Sequence, residues 1–317
     1  MEPVVVATQE GFVLLRVAIG RKDDYLENFD YYVYHADGLE GPSLMLLPRP
    51  PSAAKKPASC ATYRNDHTGG KEYIVAALYS DWWQHNSGQF DLCLYDSNKP
   101  GHWKVHKVFL SKRNGRTKRF FHINCNVVVI GGYAGTMAFA DLWRGILFCD
   151  VLGVEAEAAR WKQEGKPMPL LRYVTMPKPN NLIEGDARLY RNVVVVGDRL
   201  KPTTATSMSS SPSSGEDDCW RQDTSIKDLN TGLKVPSNLG LELLRRRPWQ
   251  PMLGLQDDDD DIVYFTASVH RMDHKAWVAV AAVDMGRKEL LGATAFSTAP
   301  RYIDFAYVHS TVSKYMR

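Results

Sequence analysis

The sequence has few cysteines and no pattern that would give them a structural or catalytic role. The five, Cys60, Cys93, Cys125, Cys149 and Cys219, are widely separated and form no C-x-x-C pair. This spacing argues against both a disulfide framework and a cysteine zinc site. Three of them lie inside apolar runs, where a free thiol is typically a small buried hydrophobe.

Long apolar runs and a charge excess of one sign are also absent. No run approaches the roughly 18 to 20 apolar residues of a membrane helix, and Met-Glu-Pro-Val-Val lacks the basic start and apolar core of a secretory signal. The 39 basic and 36 acidic residues leave a net charge of +3, too small for a general attraction to nucleic acid or anionic membrane. We therefore expect a cytoplasmic or nuclear protein with neither a membrane nor a nucleic-acid partner.

Recognisable catalytic and metal-binding motifs are missing as well. The chain has no G-x-S-x-G elbow, no phosphate loop and no G-x-G-x-x-G after a strand. The His102/His106 and His270/His274 pairs lack the Glu of a zinc helix, and the run Asp257–Asp261 lacks the alternating ligands and Gly of a calcium loop. We expect no cofactor, no metal site and no catalytic residues. The basic stretches 112–119 and 245–247 carry no interleaved aromatic platforms and are typical of charged loops.

Short strand-like runs fill the chain instead. Runs rich in Val, Ile, Leu, Tyr and Phe and bounded by Gly, Pro, Asn or Asp predict an all-β fold. The predicted strands are 4–7, 12–19, 31–35, 44–48, 73–80, 90–96, 103–110, 126–132, 136–142, 145–152, 170–177, 192–197, 261–268, 276–285 and 290–297. Helical turns are expected only at 155–165 and 240–246.

A repeat organises these strands. Several end in an Asp followed by turn residues, at Asp37, Asp96, Asp150, Asp228 and Asp284, with intervals of 54 to 59 residues and one of 78. A repeat of about 50 residues with about four strands is typical of a propeller blade, nearest in length to kelch repeats. We predict one β-propeller-like unit of about five blades. The alternative is two β-sandwich domains that divide near 201–225.

The predicted organisation places amino-terminal blades in 1–119 and a disordered Ser- and Thr-rich insert at 203–218, within the region 120–317. The chain opens almost directly on a strand. If the amino terminus is complete, part of 3–16 should share a sheet with part of 262–310 and close the ring. If the terminus is shortened, an unpaired apolar edge should remain.

The stretch GTMAFADLWRGILFCDVL, residues 135–152, is the strongest local pattern. Two apolar runs flank a Trp-Arg-Gly corner, so a hairpin is expected. Asp141, Trp143 and Arg144 are the candidate binding residues, because Trp and Arg are enriched in binding hot spots. The structural interpretation is favoured: Gly145 supplies a turn conformation, Trp143 packs, and Arg144 pairs with Asp141 or Asp150.

The same stretch resembles the signature of a family of plant proteins expanded in grasses, the domain of unknown function 1618. The segments 170–179, 187–201 and 261–296 also resemble it, so the similarity extends over roughly 120–317, whereas 1–119 match weakly. The resemblance implies a plant protein and supplies no catalytic residues, because the family has no established reaction.

From these observations we expect a non-catalytic, monomeric protein-interaction module that binds a protein or peptide partner through loops on a propeller scaffold. The alternative is an enzyme whose polar groups gather at the mouth of the propeller channel.

Overall fold

The structure is a computed structural model. It describes residues 3–9, 11–19, 29–36, 41–51, 60–64, 72–79, 88–111, 120–131, 134–164, 170–176, 187–196, 199–204, 249–253, 262–268, 277–284, 286–287 and 289–297.

The first sheet is an antiparallel meander of four strands that pair in chain order. They are β1 (Val4–Gln9), β2 (Phe12–Ala18), β3 (Phe29–His35) and β4 (Ser43–Leu46). Phe12, Leu14, Tyr31 and Val33 of the two central strands are buried. β1 and β4 form its edges, and all four residues of β4 are exposed.

The second sheet has eight strands and consists of two meanders joined edge to edge. The first contains β5 (Cys60–Arg64), β6 (Tyr73–Tyr79), β7 (Gln89–Asp96) and β8 (Lys104–Leu110). The second contains β9 (Asn126–Gly131), β10 (Thr136–Asp141), β11 (Gly145–Asp150) and β12 (Leu170–Thr175). The junction is a short parallel pairing of β12 with β8, Leu170 opposite Phe109 and Leu171 opposite Leu110.

One helix, α1 (Val154–Glu164), separates β11 from β12. Its first turn carries Glu155 and Glu157, where negative charge is favoured by the helix dipole. Lys104 in β8 donates a 2.6 Å hydrogen bond to Glu155, and this bond lowers the pKa of the Glu155 carboxyl. None of the helices formed by the described residues is long and apolar enough to cross a bilayer.

Two further sheets follow. A short 3-10 helix, Ala187–Leu189, precedes the antiparallel pair β13 (Arg191–Val196) and β14 (Arg199–Thr204). The last sheet is a four-strand antiparallel meander in chain order, β15 (Trp249–Leu253), β16 (Ile262–Ser268), β17 (Trp277–Asp284) and β18 (Glu289–Ser297).

The chain divides into two compact units. The first comprises the described parts of Met1–Asp141 and Gly145–Val174, and the second comprises Leu142–Arg144 with the described parts of Thr175–Tyr307. The first unit has a continuous apolar core to which strands of both its sheets contribute, including Phe12, Leu92, Phe139 and Leu147, each fully buried.

The all-β prediction is confirmed. Each of the predicted strands is present with small shifts of its ends, and the helix predicted at 155–165 is α1. Three observed strands, β5, β14 and β15, are not among those predicted from the sequence. The single propeller-like unit stays a prediction, because strand spacing along the chain carries no information on how the sheets group in space. The helical turn predicted at 240–246 lies outside the described residues.

Two of the Asp turns that defined the repeat, at Asp96 and Asp284, form as predicted, whereas the Asp150 carboxylate accepts a hydrogen bond from the hydroxyl of Thr136. The Asp96 carboxylate accepts a 2.9 Å hydrogen bond from the backbone N–H of Asn98, two residues on. The Asp284 carboxylate accepts one of 2.8 Å from the N–H of Arg287. At each of these two turns, the Asp side chain at the end of the strand accepts a hydrogen bond from a backbone N–H of the turn that follows. Asp37 and Asp228 lie outside the described residues.

The described residues do not contain the shared sheet predicted for ring closure. β1 and β2 belong to the first sheet, whereas β16 to β18 belong to the last. Each of these sheets is completed by strands close in sequence. Residues 298–310 lie outside the described residues. Thr203 and Thr204 of the predicted insert continue β14, and 205–218 lie outside the described residues.

Candidate functional site

The β10–β11 hairpin presents the candidate binding residues at its turn. Its strands are buried almost throughout, as expected for an element covered on both faces. Asp141 pairs with Gly145 across the end of the hairpin, so Leu142, Trp143 and Arg144 form the loop. Leu142 is buried, Trp143 half-buried and Arg144 exposed. The loop therefore places one aromatic and one charged side chain together at the end of a rigid element.

Asp141 is a structural residue at this site. It is 2% exposed, and its Oδ2 accepts a 2.9 Å hydrogen bond from the backbone N–H of Ile123. Cys125, two residues after Ile123, donates its N–H to the carbonyl of Ala140. Asp141 thus holds the segment that leads into β9 against β10. Its carboxylate accepts a backbone hydrogen bond from within the first unit.

Gly145 is required for a different reason from the one predicted. We expected it to supply a turn conformation, but it is the first residue of β11, and a Cβ at this position would overlap the hydroxyl and ring of Tyr173. Tyr173 packs edge to face on Phe120, with ring centroids 4.9 Å apart, and Phe120 stacks on His122. The missing side chain lets this aromatic cluster approach the backbone of the hairpin.

Trp143 packs against two residues that begin the next sheet. Its ring lies 6.0 Å from the ring of Tyr190, and the guanidinium carbon of Arg191 lies 5.4 Å from its centroid. Tyr190 closes the turn after the 3-10 helix by donating its N–H to Ala187. Arg144 contributes its carbonyl, which accepts a hydrogen bond from Met176. Trp143 is therefore held by an aromatic ring and a cation.

Arg191 was not singled out from the sequence, although it is the most unusual residue of the site. It is 1% exposed, and Nη1 donates a 2.9 Å hydrogen bond to the carbonyl of Leu142. Burial lowers the pKa of the guanidinium to about 10, because the charged form is poorly solvated there. Within the described part of the chain, Nε and Nη2 have no hydrogen-bond partner. A signal was present in the sequence: Arg191 and Asn192 stand directly before the apolar run of four Val residues, 193–196.

The family model described as "Protein of unknown function (DUF1618)" matches residues 139–264. The predicted family resemblance is confirmed. This DUF1618 segment begins in β10 and ends in β16, so it contains the turn, Trp143 and Arg191 and covers part of the predicted span 120–317. No curated protein matches the chain.

The other predicted candidates are arranged as follows. His102 precedes β8 and His106 lies within it, so their four-residue spacing is not on a helix. Among the residues that the structure describes, no three His, Cys, Asp or Glu side chains form a group that could hold a metal ion. The pair His270/His274, the acidic run 257–261 and the basic stretches 112–119 and 245–247 lie outside the described residues.

The cysteine thiols that the structure describes lie in or beside strands. Cys93 and Cys149 are buried, and burial is the largest cause that raises the pKa of each thiol to about 12. Cys125 is half-buried and donates to the carbonyl of Ala140. The thiolate is the reactive form. Cys93 and Cys149 therefore behave as the small buried hydrophobes that we predicted.

The exposed edge strand β4 lies outside the DUF1618 segment. Leu44, Met45 and Leu46 are 59%, 42% and 54% exposed, whereas the next residue, Leu47, is buried and donates its N–H to Tyr31. The carbonyl of Pro48 accepts a 2.7 Å hydrogen bond from the Trp103 indole. β4 is thus a row of large apolar side chains that is fixed to the first unit at its carboxyl end.

Proposed function

We propose that the chain is a non-catalytic protein-interaction module that binds an extended segment of a protein or peptide partner along β4. The observation that carries this proposal is the row of three consecutive, largely exposed apolar side chains, Leu44 to Leu46, on an edge strand. Natural edge strands are usually protected by charge, proline or a covering element. An apolar edge is therefore a feature that a partner would cover.

The geometry of β4 suits the addition of a strand. β3 is its one strand neighbour within the described residues, which pair no strand with the other edge of β4. Successive side chains of a strand point to opposite faces. Leu44 and Leu46 therefore share one face and Met45 occupies the other, which supports pockets for alternate partner side chains.

The scaffold that we propose for this module is a β-propeller of about five blades. Three observations support it: the first and last sheets are four-strand meanders, the eight-stranded sheet is two such meanders, and β1, β5 and β9, the first strands of successive meanders, lie side by side. First strands that neighbour one another are typical of blades around a channel. A crystal structure of the chain tests the proposal, and meanders that pack face to face as sandwiches would contradict it.

The setting proposed for this module is the cytoplasm or nucleus of a plant cell, with a monomeric chain. The composition and the family resemblance support this setting. The alternative is an enzyme with its site at the channel mouth, and convergent His, Asp and Ser or Lys side chains at that mouth would favour it.

The test compares partner capture by three forms of the full chain. Leu44→Ser combined with Leu46→Ser removes the apolar face of β4. Leu291→Ser is the matched control, because Leu291 is an exposed Leu of β18 in the other unit. We expect quantitative mass spectrometry of plant-extract captures to find partners enriched by the wild type and by Leu291→Ser and lost from the double variant. Equal capture by all three would rule out β4 as the binding edge.

A direct measurement then follows with a synthetic peptide from the captured partner. Binding should be at least about tenfold weaker for the β4 double variant, because most of the apolar contact is removed. A proline placed centrally in the peptide should also weaken binding, since it removes a ladder hydrogen bond. Unchanged affinity with the proline peptide would exclude strand addition.

A further inference from the structure

Arg191 combines full burial with incomplete pairing. A buried cation is costly to keep unless it is paired and hydrogen-bonded. Yet the side chain is 1% exposed and, among the residues that the structure describes, makes a single hydrogen bond, to the carbonyl of Leu142. A neutral carbonyl does not neutralise a guanidinium. The described residues therefore leave the charge of Arg191 without a matching negative group.

The free donors of Arg191 form one defined edge of the guanidinium. Nη1 is used by Leu142, and the Trp143 ring approaches the guanidinium carbon at 5.4 Å. Nε and Nη2, the atoms without a partner in the described part of the chain, lie next to each other. Their N–H bonds are parallel and spaced to match the two oxygens of a carboxylate, which is the bidentate arrangement preferred by arginine.

We propose that the Nε–Nη2 edge of Arg191 binds a carboxylate group, with Trp143 and the Leu142 carbonyl holding the guanidinium in place. A carboxylate fits better than a phosphate because it is planar, presents two oxygens to the two donors, and carries one negative charge against the one positive charge present. The lowered pKa of Arg191 agrees with a cation whose counter-charge is missing. This proposal concerns the DUF1618 segment and does not depend on partner binding by β4.

The carboxylate has two chemical sources that the same edge would accept. One is a small free anion, and the other is an Asp, Glu or terminal carboxylate of a peptide. Both form the same pair of N–H to oxygen hydrogen bonds. An experiment with one arm for each source separates them.

The direct readout is the Nε–Hε resonance of Arg191 in the full-length chain labelled with ¹⁵N. Sodium malonate is titrated against sodium chloride of equal ionic strength, since simple screening affects both alike. In the second arm, a short Glu-containing peptide is compared with its Gln counterpart. We expect a saturable downfield shift with malonate, with the Glu peptide or with both. The responding arm identifies the source. No saturable shift in either arm would overturn the proposal.

Variants separate the bidentate edge from simple charge. Arg191→Lys keeps the positive charge and loses the fork, so isothermal titration calorimetry should show it binding the responding carboxylate at least about tenfold more weakly. The matched control is Arg188→Lys, because Arg188 is an exposed arginine three residues earlier, and it should bind as the wild type does. If Arg191→Lys fails to fold, Arg191→Met serves instead, since an apolar side chain of similar length suits a buried site. Undiminished binding by either Arg191 variant would refute the site.

Discussion

Gly145 shows how a single absent side chain shapes the hairpin. The overlap of a Cβ at this position with Tyr173 concerns the ring as well as the hydroxyl, so rotation of the hydroxyl proton gives no relief. Tyr173 is itself held by Phe120. The local pattern Trp-Arg-Gly is therefore explained by packing and not by backbone conformation.

We expect Gly145→Ala to lower the free energy of unfolding by about 1 to 3 kcal/mol, the usual cost of overfilling a packed site. Urea denaturation measures it. Gly153→Ala is the control, because no atom lies closer than 3.7 Å to a Cβ at that position. Tyr173→Leu should recover part of the stability lost by Gly145→Ala. Gly145→Ala as stable as the wild type would show that Tyr173 moves aside freely.

Arg191 marks the limit of residue-level prediction from this sequence. Composition rules place arginine at the surface, and the run NVVVV identifies a strand without indicating which neighbour covers its first residue. The partners of Arg191, Leu142 and Trp143, lie about 50 residues earlier in the chain. Asp141, Trp143 and Arg144 are candidates from the sequence because they share one turn, which is a local property.

At the scale of the element, proline explains two of the three strands that the sequence did not predict. β14 contains Pro202 and β15 contains Pro251. Proline cannot donate to a ladder and is tolerated at edges and bulges. Both strands are edges of their sheets, and the register of β15 shifts between Trp249 and Met252. A proline therefore argues against a strand when the sequence is considered locally, although a strand at the edge of a sheet tolerates it.

The hydrogen bond from Ile123 to Asp141 tests whether one side chain holds the segment before β9 in place. We expect Asp141→Ala to cost about 1 to 3 kcal/mol, because it leaves the N–H of Ile123 without its acceptor. Hydrogen exchange at Ile123 should accelerate. Asp141→Asn keeps an acceptor oxygen and should retain most of the protection. If Asp141→Ala leaves exchange at Ile123 unchanged, the hydrogen bond does not hold the segment.

At the scale of the whole molecule, the buried thiols link stability to alkaline pH. Cys93 and Cys149 have pKa values raised to about 12 in the folded chain, against about 8.5 for a free thiol. The folded state therefore keeps protons that the unfolded state releases. The stabilisation is fully present below pH 8.5 and is lost as the pH rises towards 12.

We expect the free energy of unfolding to fall between pH 8 and pH 10, by up to about 1.4 kcal/mol per pH unit for each thiol once the unfolded thiol is ionised. Tyr73, whose pKa burial also raises, contributes in the same direction as the pH approaches 10. Urea midpoints across this range measure the slope. Cys93→Ala combined with Cys149→Ala should flatten it. An unchanged slope in that double variant would assign the effect to other groups.

The parallel contact between β8 and β12 has a consequence for how such a chain could change in evolution. Within the described residues, two residue pairs join the two meanders of the eight-stranded sheet there, whereas each meander is an antiparallel ladder built from neighbouring strands. A four-strand segment could be duplicated or deleted with this short junction and the contacts between first strands to remake. The number of meanders is thus a property that gene duplication can alter without redesigning any one of them.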